Sequence, residues 1–182
     1  DQDAIFADES TYENKLKRIL KAFNNFSSHY GNIVQTGSAS SSLIPENSQD
    51  YIFTDPPFGE NIYYSDLNFF VEAWYRVYTN TKTEAIIDKV KKKKLNDYQE
   101  LMTKCFEEYY RILKPGRWLT VEFSNSKAAV WNVIQESLQT AGFVLGNVAS
   151  LDKKQRSFQS VSSPTAVKQD LVISAYKPNG GF

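Results

Sequence analysis

The chain has 182 residues and a mass of 20.8 kDa, and its 41% apolar and 23% charged residues are ordinary for one globular domain with a substantial core. Its 21 basic and 21 acidic residues give a formal net charge of zero, without the basic excess that is usual for a free-standing binder of duplex nucleic acid. The single cysteine, Cys105, excludes an internal disulfide and a cysteine-built zinc site, and His29 is the only histidine, so we expect no metal. Because a single cysteine leaves no disulfide, we expect a reduced, cytoplasmic setting. No apolar run approaches the roughly 20 residues that span a bilayer, so we expect no membrane contact.

The first third of the chain predicts one helix and two short strands. A capping-box pattern, followed by apolar residues at helical spacing, predicts a helix over residues 11–26. Residues 32–36 are β-prone and predict a strand that runs into a loop of small residues. Residues 51–54, Tyr-Ile-Phe-Thr, form the apolar, β-branched run that is typical of a buried strand, and the two prolines after it must end that strand.

The rest of the chain alternates helical and strand patterns. The strongest helical pattern covers residues 96–113, and residues 152–169 form a long polar loop. The remaining patterns predict helices over 66–78 and 130–141 and strands over 118–123, 144–151 and 171–176. This alternation indicates an α/β fold, a three-layer sandwich with a mostly parallel sheet covered on both faces. The last two strands, joined only by the loop, should form a terminal antiparallel pair.

The sequence Asp55-Pro56-Pro57-Phe58 directly follows the predicted strand 51–54. A residue before proline favours an extended conformation, so the Asp55 carboxylate should stand at the carboxyl end of that strand, where open parallel sheets bind ligands. The carboxylate and the Pro56 carbonyl are two acceptors for the two hydrogens of an exocyclic amine on a nucleobase, and the paired prolines stiffen the backbone. The Phe58 ring can stack on the flat base. These four residues are therefore the candidate catalytic residues.

The segment 50–59, Asp-Tyr-Ile-Phe-Thr-Asp-Pro-Pro-Phe-Gly, resembles the catalytic motif of N6-adenine and N4-cytosine DNA methyltransferases. Its continuation 61–67, Asn-Ile-Tyr-Tyr-Ser-Asp-Leu, is similar to a group of large prokaryotic adenine-specific DNA methylases. The resemblance covers residues 30–178 and includes the Leu-Lys-Pro-Gly turn at 113–116. It implies a class I methyltransferase (Rossmann-like) fold, S-adenosylmethionine as cofactor, and methylation of a DNA base flipped out of the duplex, as in restriction-modification. Aspartate at the first motif position is more typical of the adenine enzymes, so the resemblance favours adenine N6.

Residues directly after the motif are candidates for substrate binding. They are Asn61, Tyr63, Tyr64 and Ser65. Each could contact the base, the sugar or the cofactor, and packing beneath the motif loop is an equal alternative for each of them.

Two later segments add candidates. The polar loop between the last strands carries basic and aromatic residues that could hold phosphate and cover a flipped base, although a plain solvated hairpin loop remains an alternative. The substrate-binding candidates in this loop are Lys153, Gln155 and Phe158. Asn125, which follows the predicted strand 118–123, either lies near the same pocket or only caps the next helix.

One part of the family pattern is missing from the sequence. The family holds S-adenosylmethionine with a glycine-rich turn after its first strand, and no Gly-x-Gly turn occurs in this chain. Gly37 and Ser38 have the position of the family's loop after the third strand, and with Asp55 they are the candidate cofactor-binding residues. We therefore expect a partial domain: an N-terminal helical segment over 1–30, the substrate-side part of a methyltransferase over 31–178, and a tail over 179–182.

This organisation sets the expected partners. The chain begins with Asp1 and not with methionine, so we expect the cofactor-binding half to come from a larger polypeptide or a partner subunit, with DNA as the substrate. A sheet truncated on one side should expose an apolar edge, which predicts self-association. Two alternatives stay open: an RNA guanine-N2 methyltransferase, because such enzymes use similar motifs, and a non-catalytic module for DNA binding or assembly.

Overall fold

The computed structural model describes residues 9–23, 31, 33–60, 62–125, 127–151 and 170–180. The chain divides into two compact units, residues 1–36 and residues 37–182. In the first unit the helix α1 (Glu9–Phe23) confirms the helix that the capping box predicted.

The strand predicted over residues 32–36 does not form in the described part of that range. Residues 33–36 have no strand assignment, and the side chains of Ile33 and Val34 are almost fully exposed. Because β-propensity acts only when a neighbouring strand supplies a ladder and a packing surface, this short run stays irregular.

The second unit contains the elements that position the motif. In chain order they are β1 (Gln49–Thr54), α2 (Tyr64–Tyr75), α3 (Leu95–Ile112), β2 (Leu113–Phe123), α4 (Ala128–Thr140), β3 (Val144–Leu151) and β4 (Asp170–Tyr176), with a 3₁₀ turn at Thr81–Thr83. These elements confirm the helices and strands predicted after residue 50. The helix predicted over 66–78 ends earlier, because Arg76 takes a left-handed conformation with φ of 55°.

The four strands form one sheet in the order β1-β2-β4-β3. β1 pairs with β2 in parallel, whereas β4 is antiparallel to both β2 and β3. The α/β fold and the closing antiparallel pair are confirmed, but the expectation of a mostly parallel sheet is wrong for the described strands. β4 inserts between β2 and β3 in the opposite direction, so β1–β2 is the one parallel pairing of the three.

The buried core lies on one face of this sheet. α3 and α4 cover this face, because right-handed crossovers that advance in one direction across a sheet place their helices on the same side. The buried cluster joins alternate residues of β2, residues four apart on α3, and residues of α4 and β4: Leu119, Val121, Phe123, Tyr98, Met102, Phe106, Val130, Val133, Ile134, Leu138, Ile173 and Ala175. This cluster packs against the sheet on the face that α3 and α4 cover, including the carboxyl-terminal residues of β2.

The opposite face of the sheet is open in the described part of the second unit. Tyr51, Phe53 and Trp118 alternate with the core residues of β1 and β2 and are close to half exposed. Tyr51 and Thr120 are joined across this face by a hydrogen bond of 2.7 Å between their hydroxyl groups. Among the described residues α3 and α4 cover one face of the sheet, and the expected helical layer on the other face is not seen there.

β2 begins directly after α3, without a separate turn. Gln49 pairs with Leu113 and Tyr51 pairs with Trp118, so residues 114–117 bulge out of register with β1. The Lys-Pro-Gly sequence therefore ends the helix as predicted, but it lies inside the strand as a bulge.

α2 differs from the other helices of the second unit because its apolar side chains are exposed. They include Leu67, Phe69, Phe70, Val71, Trp74 and Tyr75. No helix in the described ranges is both long and apolar enough to span a bilayer.

Candidate functional site

The motif lies at the carboxyl end of β1, as the sequence predicted. The strand ends at Thr54, which pairs with Val121 of β2, and the two prolines follow one residue later. The Asp55 side chain is exposed, whereas Pro56 is buried. Because β1 and β2 are parallel, the residues after Phe123 emerge at the same edge of the sheet as the motif.

Three consecutive carbonyl groups of the motif loop each accept a hydrogen bond from a different part of the fold. The Tyr98 hydroxyl of α3 donates to the Pro57 carbonyl at 2.6 Å. The Asn125 side-chain amide donates to the Phe58 carbonyl at 2.6 Å, and the Ile87 N–H donates to the Gly59 carbonyl at 3.2 Å. We call these three donor groups, from Tyr98, Asn125 and Ile87, the carbonyl clamp.

The side chain and the backbone carbonyl of Asn125 make further hydrogen bonds besides the one to Phe58. Its Oδ1 accepts a hydrogen bond from the Lys127 N–H at 2.7 Å, and its own carbonyl accepts one from the Trp131 indole at 2.9 Å. Because the Lys127 N–H requires an acceptor, the amide nitrogen must be the atom that faces the Phe58 carbonyl. Of the two alternatives for Asn125, contact with the motif is seen, whereas the helix cap is wrong. The N-cap residue of α4 is Lys127, without a side-chain cap, and Asn125 accepts the hydrogen bond of the Lys127 N–H.

The two acceptors assigned to the amine have no partner among the described residues. No described donor reaches the Asp55 carboxylate or the Pro56 carbonyl, and neither residue has an ion pair there. A carbonyl in a buried residue normally has a hydrogen-bond partner, so the Pro56 carbonyl, without a described donor and beside an exposed carboxylate, is a candidate place for an external donor. The pair of free acceptors lies directly before the row of carbonyls that the clamp holds.

The Phe58 ring contacts the core rather than standing clear of it. It packs edge-to-face on Phe123 at a centroid distance of 5.3 Å and an interplanar angle of 88°. Phe123 in turn packs edge-to-face on Trp131 at 4.9 Å. Phe58 is half-buried, so a base can stack only on the part of the ring that this packing leaves exposed. The stacking role of Phe58 stays a prediction.

Ser65 lies inside a polar network. Its N–H and its hydroxyl both donate to the Glu84 carboxylate, at 3.0 and 2.6 Å, and the Lys91 ammonium donates to the Ser65 hydroxyl at 2.8 Å. Ser65 is buried, and the network ties the start of α2 to residues 84–91. These contacts favour the packing alternative for Ser65.

The two tyrosines beside Ser65 differ from each other. The Tyr63 hydroxyl donates to the Ile87 carbonyl at 3.2 Å, and the Lys91 ammonium lies 5.5 Å from the centre of the Tyr63 ring. Tyr63 therefore packs against the segment that supplies one donor of the carbonyl clamp. Tyr64 is half exposed and remains a prediction for substrate contact.

The other candidates are not joined to the motif by any described contact. Asn61, Lys153, Gln155 and Phe158 lie outside the described residues. Gly37 and Ser38 are exposed, and the Ser38 hydroxyl is 2.9 Å from the hydroxyl of Ser40.

The described residues do not fit S-adenosylmethionine as a complete site. The glycine-rich turn that would cradle the cofactor is missing from the sequence, and the described residues at the motif edge supply acceptors and not a glycine cradle.

The sequence did not identify Tyr98 as a residue that contacts the motif. It falls on the apolar face of α3 and looks like an ordinary core residue. The available signal was its hydroxyl group, because a fully buried tyrosine hydroxyl normally has a hydrogen-bond partner. Nothing local to residue 98 identifies the Pro57 carbonyl as that partner.

Solved structures that are similar to this chain include methyltransferases. A protein from Thermus thermophilus described as a DNA modification methylase has 17% identity and a TM-score of 0.48, over 80% of this chain and 53% of that one. The same protein complexed with S-adenosyl-L-methionine has 18% identity and a TM-score of 0.47, over 80% and 55%. A SAM-dependent methyltransferase from Aquifex aeolicus has 14% identity and a TM-score of 0.41, over 92% and 64%. The chain thus spans between half and two thirds of the length of these structures.

The sequence comparisons decide the family. A search of curated proteins found no significant match. The model of the N6/N4 methyltransferase family, described as DNA methylase, matches residues 49–179, from the first residue of β1 to beyond the end of β4. This match includes the motif and the whole described sheet, and it confirms the family and the methyltransferase fold that the sequence indicated. The chain therefore belongs to the DNA methylase family of N6 and N4 methyltransferases.

Proposed function

We propose that this chain holds the target amine in S-adenosylmethionine-dependent methylation of a DNA base, with adenine N6 as the first candidate. The observation that carries the proposal is the position of Asp55 and Pro56. An exposed carboxylate and a carbonyl without a described donor stand side by side at the carboxyl end of β1, where α/β folds bind ligands.

The chemistry explains why two acceptors are needed. The lone pair of an exocyclic amine is delocalised into the aromatic ring, so the amine is a weak nucleophile. Hydrogen bonds from its two N–H groups to the Asp55 carboxylate and the Pro56 carbonyl orient the nitrogen and favour the pyramidal geometry in which the lone pair is available. The Asp55 carboxylate can also accept the proton that the nitrogen loses once it is methylated.

S-adenosylmethionine, when bound, supplies the methyl group as a sulfonium. The residues described here orient the acceptor nitrogen and do not form the cofactor pocket, so we propose that the rest of a larger polypeptide or a partner subunit completes the site. Transfer then depends mainly on alignment and proximity of the two reactants.

DNA is the proposed substrate, with the target base flipped out of the duplex to reach the free acceptors. The net charge of zero means that much of the phosphate contact must come from outside this chain. Within it, Lys153, Gln155 and Phe158 remain proposed contacts, together with Asn61 and Tyr64 beside the motif.

The test measures which nucleoside is methylated by the full-length protein and by its Asp55→Ala variant. Mass spectrometry of digested DNA and RNA distinguishes N6-methyladenine, N4-methylcytosine and N2-methylguanine. We expect N6-methyladenine in DNA, and a loss of product in the variant. Asp50→Ala is the matched control, because Asp50 lies at the other end of the same strand, exposed and paired with Lys114. Equal product from the Asp55 variant and wild type would contradict the proposal.

A non-catalytic module is the second candidate. It is favoured by the missing glycine-rich turn and by the neutral charge. Calorimetry of this chain with S-adenosylmethionine, followed by a methylation assay of the full-length protein, separates the two. Methylation that depends on Asp55 excludes the non-catalytic module, and submicromolar binding by this chain alone would contradict a cofactor site that lies elsewhere.

A further inference from the structure

The carbonyl clamp holds the carbonyls of Pro57, Phe58 and Gly59, and the Pro56 carbonyl before them has no donor among the described residues. We propose that Tyr98 and Asn125 are positioning residues, which fix the Pro56 carbonyl in the direction of the amine by holding the carbonyls of Pro57 and Phe58. This inference rests on the proposed function and adds two residues to it that lie far from the motif in the sequence.

The backbone geometry explains how a bond to Pro57 acts on Pro56. The Pro56 carbonyl belongs to the planar peptide unit between the two prolines. The ring of Pro57 fixes the φ angle that follows this unit, and the Tyr98 bond fixes the direction of the next carbonyl, which sets the ψ angle of Pro57. With both angles set, the plane that carries the Pro56 carbonyl cannot rotate on its own. An acceptor has to stay within about 10–20° of its productive direction, so this restraint bears directly on amine alignment.

Tyr98 is suited to this role by its surroundings. Its side chain is fully buried between α3 and the core, so the ring cannot move away from the motif without opening a cavity. Burial also raises the pKa of the Tyr98 hydroxyl far above its ordinary value, so the group is a donor at neutral pH. The oxygen-to-oxygen distance of 2.6 Å is short for a neutral hydroxyl donor.

Asn125 is suited to the role by its two-sided fixation. Asn125 is 5% exposed, and its side-chain amide contacts the Lys127 N–H through Oδ1 and the Phe58 carbonyl through its nitrogen. Any rotation of the amide therefore breaks two hydrogen bonds in a buried place, which costs more than either bond alone. Asn125 thus links the start of α4 to the motif as a rigid spacer.

Two conservative substitutions isolate the clamp. Tyr98→Phe removes one hydroxyl and keeps the ring in the core. Asn125→Asp removes the donor to the Phe58 carbonyl and keeps an oxygen for the Lys127 N–H. Tyr109→Phe is the matched control, because Tyr109 lies on the same helix and its hydroxyl is 3.5 Å from that of Thr54, away from the clamp.

In the full-length protein we expect each clamp variant to lower kcat on the order of tenfold, with KM for DNA changed by less than about twofold, because alignment and not binding is lost. The control should keep the kcat of wild type. Hydrogen exchange of the amides at 58–60, measured on this chain, should become faster in both clamp variants and stay unchanged in the control.

The Asn125→Asp variant has a pH signature that a purely structural role does not produce. When its carboxyl takes up a proton it can again donate to the Phe58 carbonyl, so the ratio of variant to wild-type kcat should rise as the pH falls. A ratio that is constant with pH would contradict the positioning role of Asn125.

The outcomes separate the clamp from the proposed function. If Asp55→Ala abolishes methylation while Tyr98→Phe and Asn125→Asp keep the wild-type kcat per folded molecule, the clamp is wrong and the proposed function stands. If Asp55→Ala leaves methylation unchanged, the proposed function itself fails. A lower melting temperature with unchanged kcat would assign both residues to stability alone and overturn the inference.

Discussion

The motif loop and α2 are neighbours in sequence, but the loop is bonded to the core whereas the apolar side chains of α2 are exposed. The loop at 55–59 packs on the core, and three of its carbonyls are bonded to donors from three other segments. α2 begins five residues later, and its aromatic side chains remain in solvent: Phe70 is 76% exposed and Trp74 is 82% exposed. The one aromatic residue of the loop, Phe58, packs on the core, whereas the aromatic residues of α2 are exposed, so an aromatic side chain alone does not indicate where a chain is fixed.

This difference separates two roles within the second unit. An acceptor pair that aligns an amine, as proposed for Asp55 and Pro56, has to be fixed in direction, and donors and core rings from other segments contact the loop. α2 is apolar on several sides, a composition that is usual for a covered helix, yet it has little cover among the described residues. We define its exposed side chains Phe70, Trp74 and Tyr75 as the aromatic surface, and we propose that it promotes self-association.

The largest effect should come from removing the ring on which the motif rests. Phe123→Ala deletes a fully buried side chain that contacts Phe58 and Trp131, so we expect the free energy of unfolding to fall by about 3–5 kcal/mol. Phe70→Ala on the aromatic surface is the matched control and should change it by less than about 0.5 kcal/mol. Denaturant titration of both variants measures the difference, and equal losses would remove the contrast between the two regions.

A smaller effect should be seen at the outer side of α3, with a defined dependence on pH. Hydrogen bonds from Arg111, and from the hydroxyl and N–H of Ser42, lower the pKa of the Glu108 carboxyl from 4.5 to about 2. Because this pKa is lower in the folded protein, the stabilisation is complete above about pH 5 and is lost as the pH falls through 4.5 towards 2.

Glu108→Gln removes the charge from that group, so we expect a loss of about 1–3 kcal/mol near neutral pH and little difference from wild type near pH 2. Glu107→Gln is the matched control, since Glu107 is its exposed neighbour on the same helix. Denaturant titrations at a series of pH values test this, and a loss that is the same at pH 2 and pH 7 would show that the charge is not the cause.

The smallest effect on stability should come from the aromatic surface. Phe70→Ser combined with Trp74→Ser removes two exposed rings, so the free energy of unfolding should change by less than about 1 kcal/mol. The same variant should sediment as a smaller species than wild type at equal concentration. Identical sedimentation of the two proteins would contradict the proposal that this surface promotes self-association.

The hydrophobic spacing of the sequence correctly predicted individual helices and strands. The helical spacing behind residue 96 gave α3, and the apolar run before two prolines placed Asp55 at a strand end. The order and direction of the strands depend on which neighbours are present. The sequence pattern predicted a mostly parallel sheet, whereas among the described strands only β1 and β2 pair in parallel. The strand expected at 32–36 failed for the same reason, because no described partner strand supports it.

Local sequence patterns do not predict the hydrogen bonds of the carbonyl clamp, because its donors are distant from the motif in the sequence. Tyr98 donates to a carbonyl 41 residues away and Asn125 to one 67 residues away. In the sequence Tyr98 looks like a core aromatic residue, which is correct, and Asn125 looks like a helix cap, which is wrong because Lys127 is the N-cap residue of α4. Their common function becomes visible only when the ends of β1 and β2 are side by side.

The most direct test of the central claim is the single-turnover rate of methyl transfer to DNA by the full-length Asp55→Ala variant, measured with DNA and S-adenosylmethionine both saturating. Loss of the carboxylate should slow the transfer by about 10²–10³-fold, in the range seen when one preorganised polar group is removed from a reacting centre. The affinity for DNA should change by less than about twofold. A variant that transfers the methyl group at the wild-type rate would contradict the assignment of Asp55 as the group that holds the amine.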